Sequence, residues 1–334
     1  MRRSAGTWAL ILAAGNGSRL SALSVDASGR AVPKQYCSLD GAASLLQSTI
    51  ARAQSIAGLE RTSLIVADEH RRWWWQAALS LPAHNVVAQP RNCGTANGLL
   101  LQLLLVAEQD PEAEVVLLPA DHLVADEQLL AQAVQQALAH VRAARSELVL
   151  LGMAPSGPDP DLGYIVPGMP DGCGAHTVRA FVDKPSRAEA ERLIGRGALL
   201  NASIMVARCE TLLGMYAQAL PDVLQLMQHA LDCRNDRRKE LAELYQRLPV
   251  LEFSRQVLDV VAKQALRVIA VPECGWMNLG TPRRLAKALS RCPYPQPQSQ
   301  RDCRDGGAAV TPGFNYRRAA DGSPANPRVA AAGF

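Results

Sequence analysis

Apolar residues in the first half of the chain fall into two textures. Trp8–Ala13, Thr62–Ala67, Asn85–Ala88 and Glu114–Leu118 are short apolar runs, as strands buried on both faces require. Between them, Ser44–Ala57, Glu69–Leu81 and Thr95–Glu108 are long enough for crossover helices. Strand alternating with helix predicts a mostly parallel sheet with helices on both faces and right-handed connections. From about Glu147 the texture changes. Leu148–Met153, Gly163–Pro167, Thr177–Val182 and Leu199–Ala207 read as strands, with Pro/Gly-rich stretches at Pro155–Pro160 and Pro167–Gly174. Helical patterns follow at Ala188–Ile194, Glu210–Ala219, Pro221–Cys233 and Arg237–Arg247. The last unit is a strand at Arg267–Val271, a turn at Gly275–Pro282 and a helix at Arg283–Ser290. Pro282 sits at that helix start, where its missing N–H costs nothing.

After Cys292 the composition shifts to Pro, Gly, Ser, Asn and Arg, with few large aliphatic residues. Such a segment buries too little apolar area to offset its ordering entropy, so 293–334 is expected to be a disordered tail. The remaining chain has ordinary globular composition, and at 334 residues it needs no disulfide or metal staple. The formal charge is +4, but five Arg and three Asp lie after position 292, leaving the body near +2. That is too weak for a nucleic-acid footprint. No apolar run reaches the ~18 residues of a membrane span, and the run after Arg2-Arg3 enters a glycine loop too soon for a signal peptide. The eight cysteines form no C-x-x-C pair, which fits free thiols in a reducing cytoplasm. Trp73-Trp74-Trp75 cannot all face inward on one helix, because successive residues are ~100° apart. At least one is expected to be exposed or in a subunit contact, so a homo-oligomer stays open. The basic run Arg234–Lys239 reads as a solvated helix start.

Candidate chemistry begins at Leu12-Ala13-Ala14-Gly15-Asn16-Gly17-Ser18-Arg19-Leu20, a strand feeding a glycine loop, followed by Pro33-Lys34-Gln35. Glycines let backbone N–H groups approach a phosphate chain, and the following helix start adds positive potential. Arg19 and Lys34 would neutralise a leaving pyrophosphate. The spacing is neither a P-loop nor a G-x-G-x-x-G fingerprint. Asp121 follows an apolar strand, and the C-terminal edge of such a sheet is where ligands bind. A carboxylate there suits Mg²⁺, which takes one or two carboxylates plus phosphates and water.

Leu12–Leu20 with Pro33-Lys34-Gln35 resembles the signature of sugar-1-phosphate nucleotidylyltransferases, nearest to the mannose-1-phosphate guanylyltransferase group. The resemblance continues through Gln89–Ala96, Leu118–His122, Gly163–Ile165, Phe181–Pro185, Leu200-Asn201 and Gly275–Gly280, covering about residues 7–290. It implies an α/β, three-layer Rossmann-like nucleotidylyltransferase fold with a mostly parallel mixed sheet. One domain would span 1–292, with a nucleotide half at about 1–146 and a sugar-side half at about 147–292. It also implies transfer of a nucleotidyl group from a nucleoside triphosphate, GTP by similarity, to a sugar 1-phosphate, with mannose 1-phosphate leading. Arg19, Lys34 and Asp121 would be catalytic. Ala13, Ala14, Gly15, Gly17, Ser18, Gln89, Asn92 and Thr95 would bind the nucleotide. Gly163, Tyr164, Lys184 and Asn201 would bind the sugar phosphate, with Lys184 as a point charge, although core packing of Tyr164 and backbone capping by Asn201 fit equally well. His122 reads as a structural neighbour. Isomerase activity, found in larger relatives, is not expected.

One departure matters. The family shows Gly-Trp-Ser-Asp where this chain has Gly275-Trp276-Met277-Asn278. Mg²⁺ would then sit between Asp121 and the uncharged amide of Asn278. Losing a preorganised charge there costs about 3–4 kcal/mol, or ~10²–10³ in rate. Two readings stay open: a working, slower transferase, and a degenerate member that binds nucleotide or sugar phosphate without efficient turnover. A cytidylyltransferase of isoprenoid synthesis shares the first motif and ranks below both.

Overall fold

Thr7–Leu12 forms β1, and its side chains alternate between two cores. Ala9 and Ile11 enter one hydrophobic cluster and Trp8 and Leu10 the other, the two-residue period of a strand covered on both faces. The computed structural model describes residues 6–26, 28–233, 236–260, 265–291 and Gly313. The expected tail at 293–334 lies outside them, except Gly313, which bridges to Ser38. In the first half, β2 (Thr62–Ala67), β3 (Val86–Gln89) and β4 (Glu114–Pro119) run parallel to β1. Crossovers α1 (Leu45–Ala57) and α2 (Arg71–Ala78) cover one face and α3 (Gly94–Gln109) the other. Ser44 starts α1 with a reciprocal capping box to Gln47.

Beyond β4 come β5 (His122–Leu123), α4 (Glu127–Ala143), β6 (Leu148–Met153), β7 (Gly163–Pro170), β8 (His176–Asp183) and α5 (Arg187–Gly195). Then follow β9 (Leu199–Arg208), α6 (Cys209–Ala219), α7 (Pro221–Asp232), α8 (Arg237–Arg247), β10 (Leu266–Val271), β11 (Met277–Asn278) and α9 (Pro282–Arg291). Among the described residues the main sheet has the order β3-β2-β1-β4-β9-β6-β10-β8-β7. Strand β9 lies antiparallel between β4 and β6, so the change of texture near Glu147 is no break in the sheet. A separate ribbon pairs β5 with β11 and sets His122 opposite Asn278.

Most element ends fall within one or two residues of the sequence expectation. Two differ more: β7 runs on past Pro167 to Pro170, into the stretch read as a connection, and over Glu69–Leu81 a 3-10 turn at Asp68–His70 precedes a shorter α2. Within α2, Trp74 is buried and donates to the Ala67 carbonyl at 2.9 Å, Trp73 stacks on Tyr36, and Trp75 is 49% exposed. Arg237, at the start of α8, pairs with Glu108 at the surface, as a solvated helix start does. None of the described helices is long and apolar enough to cross a membrane.

The expectation omitted α4 altogether. Its signal was weak in composition, being rich in Ala and Gln, but correct in period. Leu130, Ala133, Val134, Ala137, Leu138 and Val141 form one buried stripe, and the Asp126 side chain caps the first turn through Gln128 and Leu129. Arg142 at its far end holds the buried carboxylate of Glu114 on β4 through Nε and Nη2, at 3.0 and 2.8 Å. Truncating Arg142 strands that carboxylate with Thr7 as its remaining partner. Arg142→Ala is expected to lower unfolding stability by about 2–3 kcal/mol in urea titration. A change near zero would show the pair to be idle.

Candidate active site

The chain leaves β1 at Leu12 and turns at once. Gly17 adopts φ 62, and a Cβ there would lie 3.0 Å from the Lys34 backbone nitrogen, so the turn and the close approach both call for glycine. Two side chains of the next 3-10 turn, Lys34–Tyr36, fix the loop from behind. Gln35 Nε2 donates to the carbonyls of Ala13 and Gly15 at 3.0 and 2.7 Å, and the Tyr36 hydroxyl donates to Ala13 at 3.0 Å. With its carbonyls held back, the loop leaves the N–H groups of Ala14 to Gly17 without an acceptor among the described residues. Successive free N–H groups in a turn make an anion-binding nest.

Strand β4 delivers the carboxylate. Asp121 Oδ2 lies 2.5 Å from Lys34 Nζ, and both side chains are largely buried. Burial alone would push this carboxyl up. Lys34, helped by His122, outweighs burial and holds it below the usual carboxylate range. Burial drives the His122 imidazole the other way, down to about 4 against the pull of Asp121, so it is neutral at pH 7. Leu279 N–H donates to the Asp121 carbonyl, and the Asn278 amide meets His122 Nε2 at 3.3 Å. Asp121 and Asn278 are therefore neighbours. Arg19, exposed at the loop's end, has no ion-pair partner among the described residues.

These groups surround one cleft of about 520 Å³. Every nucleotide-side, catalytic and metal candidate lines it: Ala13, Ala14, Gly15, Gly17, Ser18, Arg19, Lys34, Gln89, Asn92, Thr95, Asp121 and Asn278. Asn92 bridges Asn16 of the loop to the Gly94 N–H. The oxygens of Asp121 and Asn278 suit a hard cation that keeps water and phosphate ligands. Among the described residues no group of three or more His, Cys, Asp and Glu side chains forms a closed metal cage.

None of the four sugar-side candidates, Gly163, Tyr164, Lys184 and Asn201, lines this cleft. Tyr164 does not line the cleft. It is wholly buried, and its hydroxyl is spent on the Asp159 backbone, accepting from N–H at 2.9 Å and donating to the carbonyl at 3.3 Å. Lys184 does not reach the cleft either. It is exposed just past the end of β8, its Nζ 3.8 Å from Asp183, and it carries φ 47. Asn201 uses Oδ1 to accept from its neighbour Ser203 N–H, close to Gly163. Ser203 does line the cleft and carries φ 53. Lys184 and Ser203 are the non-glycine residues with positive φ among those described, a strain that clusters at functional sites. Glu252 also lines the cleft, and no motif pointed to it.

A Nucleotidyl transferase family model matches residues 8–292. The chain belongs to that family. It is 29% identical over 235 residues to a mannose-1-phosphate guanylyltransferase of Klebsiella pneumoniae, covering 68% of this chain and 48% of that protein. It is 27% identical over 277 residues to the xanthan biosynthesis protein XanB of Xanthomonas campestris pv. campestris, covering 81% of this chain and 57% of that one. The chain thus spans about half the length of the curated relatives it matches. A solved structure from Thermus thermophilus, described as a mannose-1-phosphate geranyltransferase, superposes with a TM-score of 0.73 at 27% identity, covering 86% of this chain and 81% of that one. That neighbour shares the fold read from the sequence.

In this nucleotidyl transferase the part of the Pro-Lys-Gln-Tyr segment is now physical. Lys34 reaches the carboxylate, while Gln35 and Tyr36 restrain the loop. Gln35→Ala removes one buried and one partly buried hydrogen bond and loosens the nest. It is expected to raise the Kd for nucleoside triphosphate about tenfold, measured by calorimetric titration, with a smaller loss of stability. Unchanged affinity would mean that the loop holds its shape without the clamp.

Proposed function

We propose that this nucleotidyl transferase joins a nucleoside triphosphate, with GTP preferred, to a sugar 1-phosphate, with mannose 1-phosphate preferred. A phosphate oxygen of the sugar forms a bond to the α-phosphorus, and the bond from that phosphorus to the pyrophosphate oxygen breaks. Pyrophosphate leaves and a nucleotide sugar forms. The observation carrying this reading is the convergence of the free N–H groups after β1, Arg19, Lys34 and Asp121 on one cleft. The choice of guanine and mannose is supported by the relatives' described activity.

The attacking phosphate is already ionised, so no general base is needed. His122, neutral and buried, instead packs edge-on against Trp276 and steadies the Asp121 corner. The nest and Arg19 would hold the β- and γ-phosphates, and Lys34 would share its charge between Asp121 and the phosphates. Catalysis is then positioning and charge stabilisation. Asp121 and Asn278 would hold Mg²⁺, which supplies charge neutralisation at the phosphate oxygens.

A second reading, binding without efficient turnover, draws support from the uncharged Asn278 and from a cleft lining that does not include Lys184. A pyrophosphate-release screen crossing four nucleoside triphosphates with a panel of sugar 1-phosphates separates the two. Release is expected with GTP and mannose 1-phosphate, in the presence of Mg²⁺. Asp121→Asn and Lys34→Met are expected to lower it by about 10²–10³, and Asn278→Asp to raise it. Binding without release for every pair would establish the second reading, and release with CTP alone would favour a cytidylyltransferase.

A further inference from the structure

The cleft has two chemically different ends. It crosses the C-terminal ends of β4, β1, β2 and β3, so Asp121 and Gln89 are separated by three strand spacings, about 14 Å. Phosphate chemistry occupies the Asp121 end. Toward the other end Ile65 and Leu99 provide an apolar floor. Gly98 keeps that floor open, since a Cβ there would press to 3.2 Å on Gln89 Oε1. An apolar slot with polar groups at its rim suits a flat heterocycle.

One rim group has a definite polarity. Apart from Asp121, Glu252 supplies the cleft's carboxylate among the described residues. Thr95 Oγ1 donates to Glu252 Oε2 at 2.8 Å and accepts from the Phe253 N–H at 2.9 Å. The Glu252 N–H in turn donates to Gln256 Oε1. The carboxylate is therefore held in place, and Oε1 has no described donor. In the same cleft, Gln89 Nε2 is a buried donor with no described acceptor.

We propose that Glu252 selects guanine by accepting from its N1–H and 2-amino groups, with Gln89 Nε2 available to the 6-oxo group. This rests on the nucleotidyl-transfer reading above and assigns its donor specificity. The chemistry is discriminating. Guanine offers two adjacent donors, matching the two acceptor atoms of a carboxylate. Uracil, thymine and hypoxanthine offer one N–H, and cytosine and adenine offer an amino group beside an acceptor that repels a carboxylate. A site built around such a pair rejects the base that lacks one donor.

Titration calorimetry of the full chain with GDP, IDP and UDP tests this without requiring turnover. IDP differs from GDP only in lacking the 2-amino group. Wild type is expected to bind GDP on the order of tenfold to a hundredfold tighter than IDP, as hydrogen bonds to a charged group allow. Glu252→Gln retains an acceptor for Thr95 but loses the charge and one acceptor. It is expected to bring the GDP-to-IDP ratio within about threefold. Glu252→Asp is expected to recover part of the ratio. An undiminished ratio in Glu252→Gln overturns the assignment while the transferase reading stands, as does a wild type that binds UDP more tightly than GDP. A wild type that binds none of the three overturns both.

Discussion

The ion pair of Lys34 and Asp121 is the contact on which the cleft depends. It joins the segment returning after β1 to the end of β4, and it does so with two largely buried charges. Such a pair is not a cheap source of stability, because desolvating both ions offsets most of their attraction. Its consequence lies in what it keeps ready. Asp121 stays ionised although burial opposes it, and Lys34 stays at the mouth of a loop whose N–H groups already favour anions. The residues after Lys34 complete the arrangement, since Gln35 and Tyr36 hold the loop by its carbonyls. One four-residue segment thus sets both the charge and the shape of the phosphate end.

The nucleotide half was legible because its determinants are local. Short apolar runs fixed the strands, and motif residues at strand ends necessarily project toward one edge of a parallel sheet. The sugar side was less legible because orientation there depends on backbone turns that a residue pattern does not carry. Tyr164 matched a motif, yet its alternating strand position points its ring into the core, where the hydroxyl finds the Asp159 backbone. Lys184 followed a strand as expected, but its side chain lies exposed beside Asp183 and outside the cleft. Helix α4 was missed because Ala and Gln make a faint apolar stripe, although its Asp126 cap and its period were present. Glu252 had no local signature at all. It enters the cleft through its contact with Thr95, more than 150 residues away in sequence.

The Asn278 corner shows how a neutral residue is accommodated. Gly280 is crowded on both sides, since a Cβ there would lie 2.7 Å from Asn278 Oδ1 and 2.8 Å from Arg284 Nη2. Arg284 is buried, and its charge is met by Asp159 at 3.1 Å, not by residue 278. Arg284 therefore does not rely on residue 278 for its counter-charge. What the uncharged amide changes is the charge presented to the cleft, where Asp121 is left as the carboxylate at the phosphate end.

The most direct test is a double-mutant cycle on Lys34→Met and Asp121→Asn, measured by urea unfolding of both single variants and the double variant near pH 7. If the two side chains interact as described, the single losses are non-additive, with a coupling of about 1–3 kcal/mol, and the double variant is less damaged than their sum. Additive losses within about 0.5 kcal/mol would show that the two charges do not brace the cleft, and the account would fail at its base.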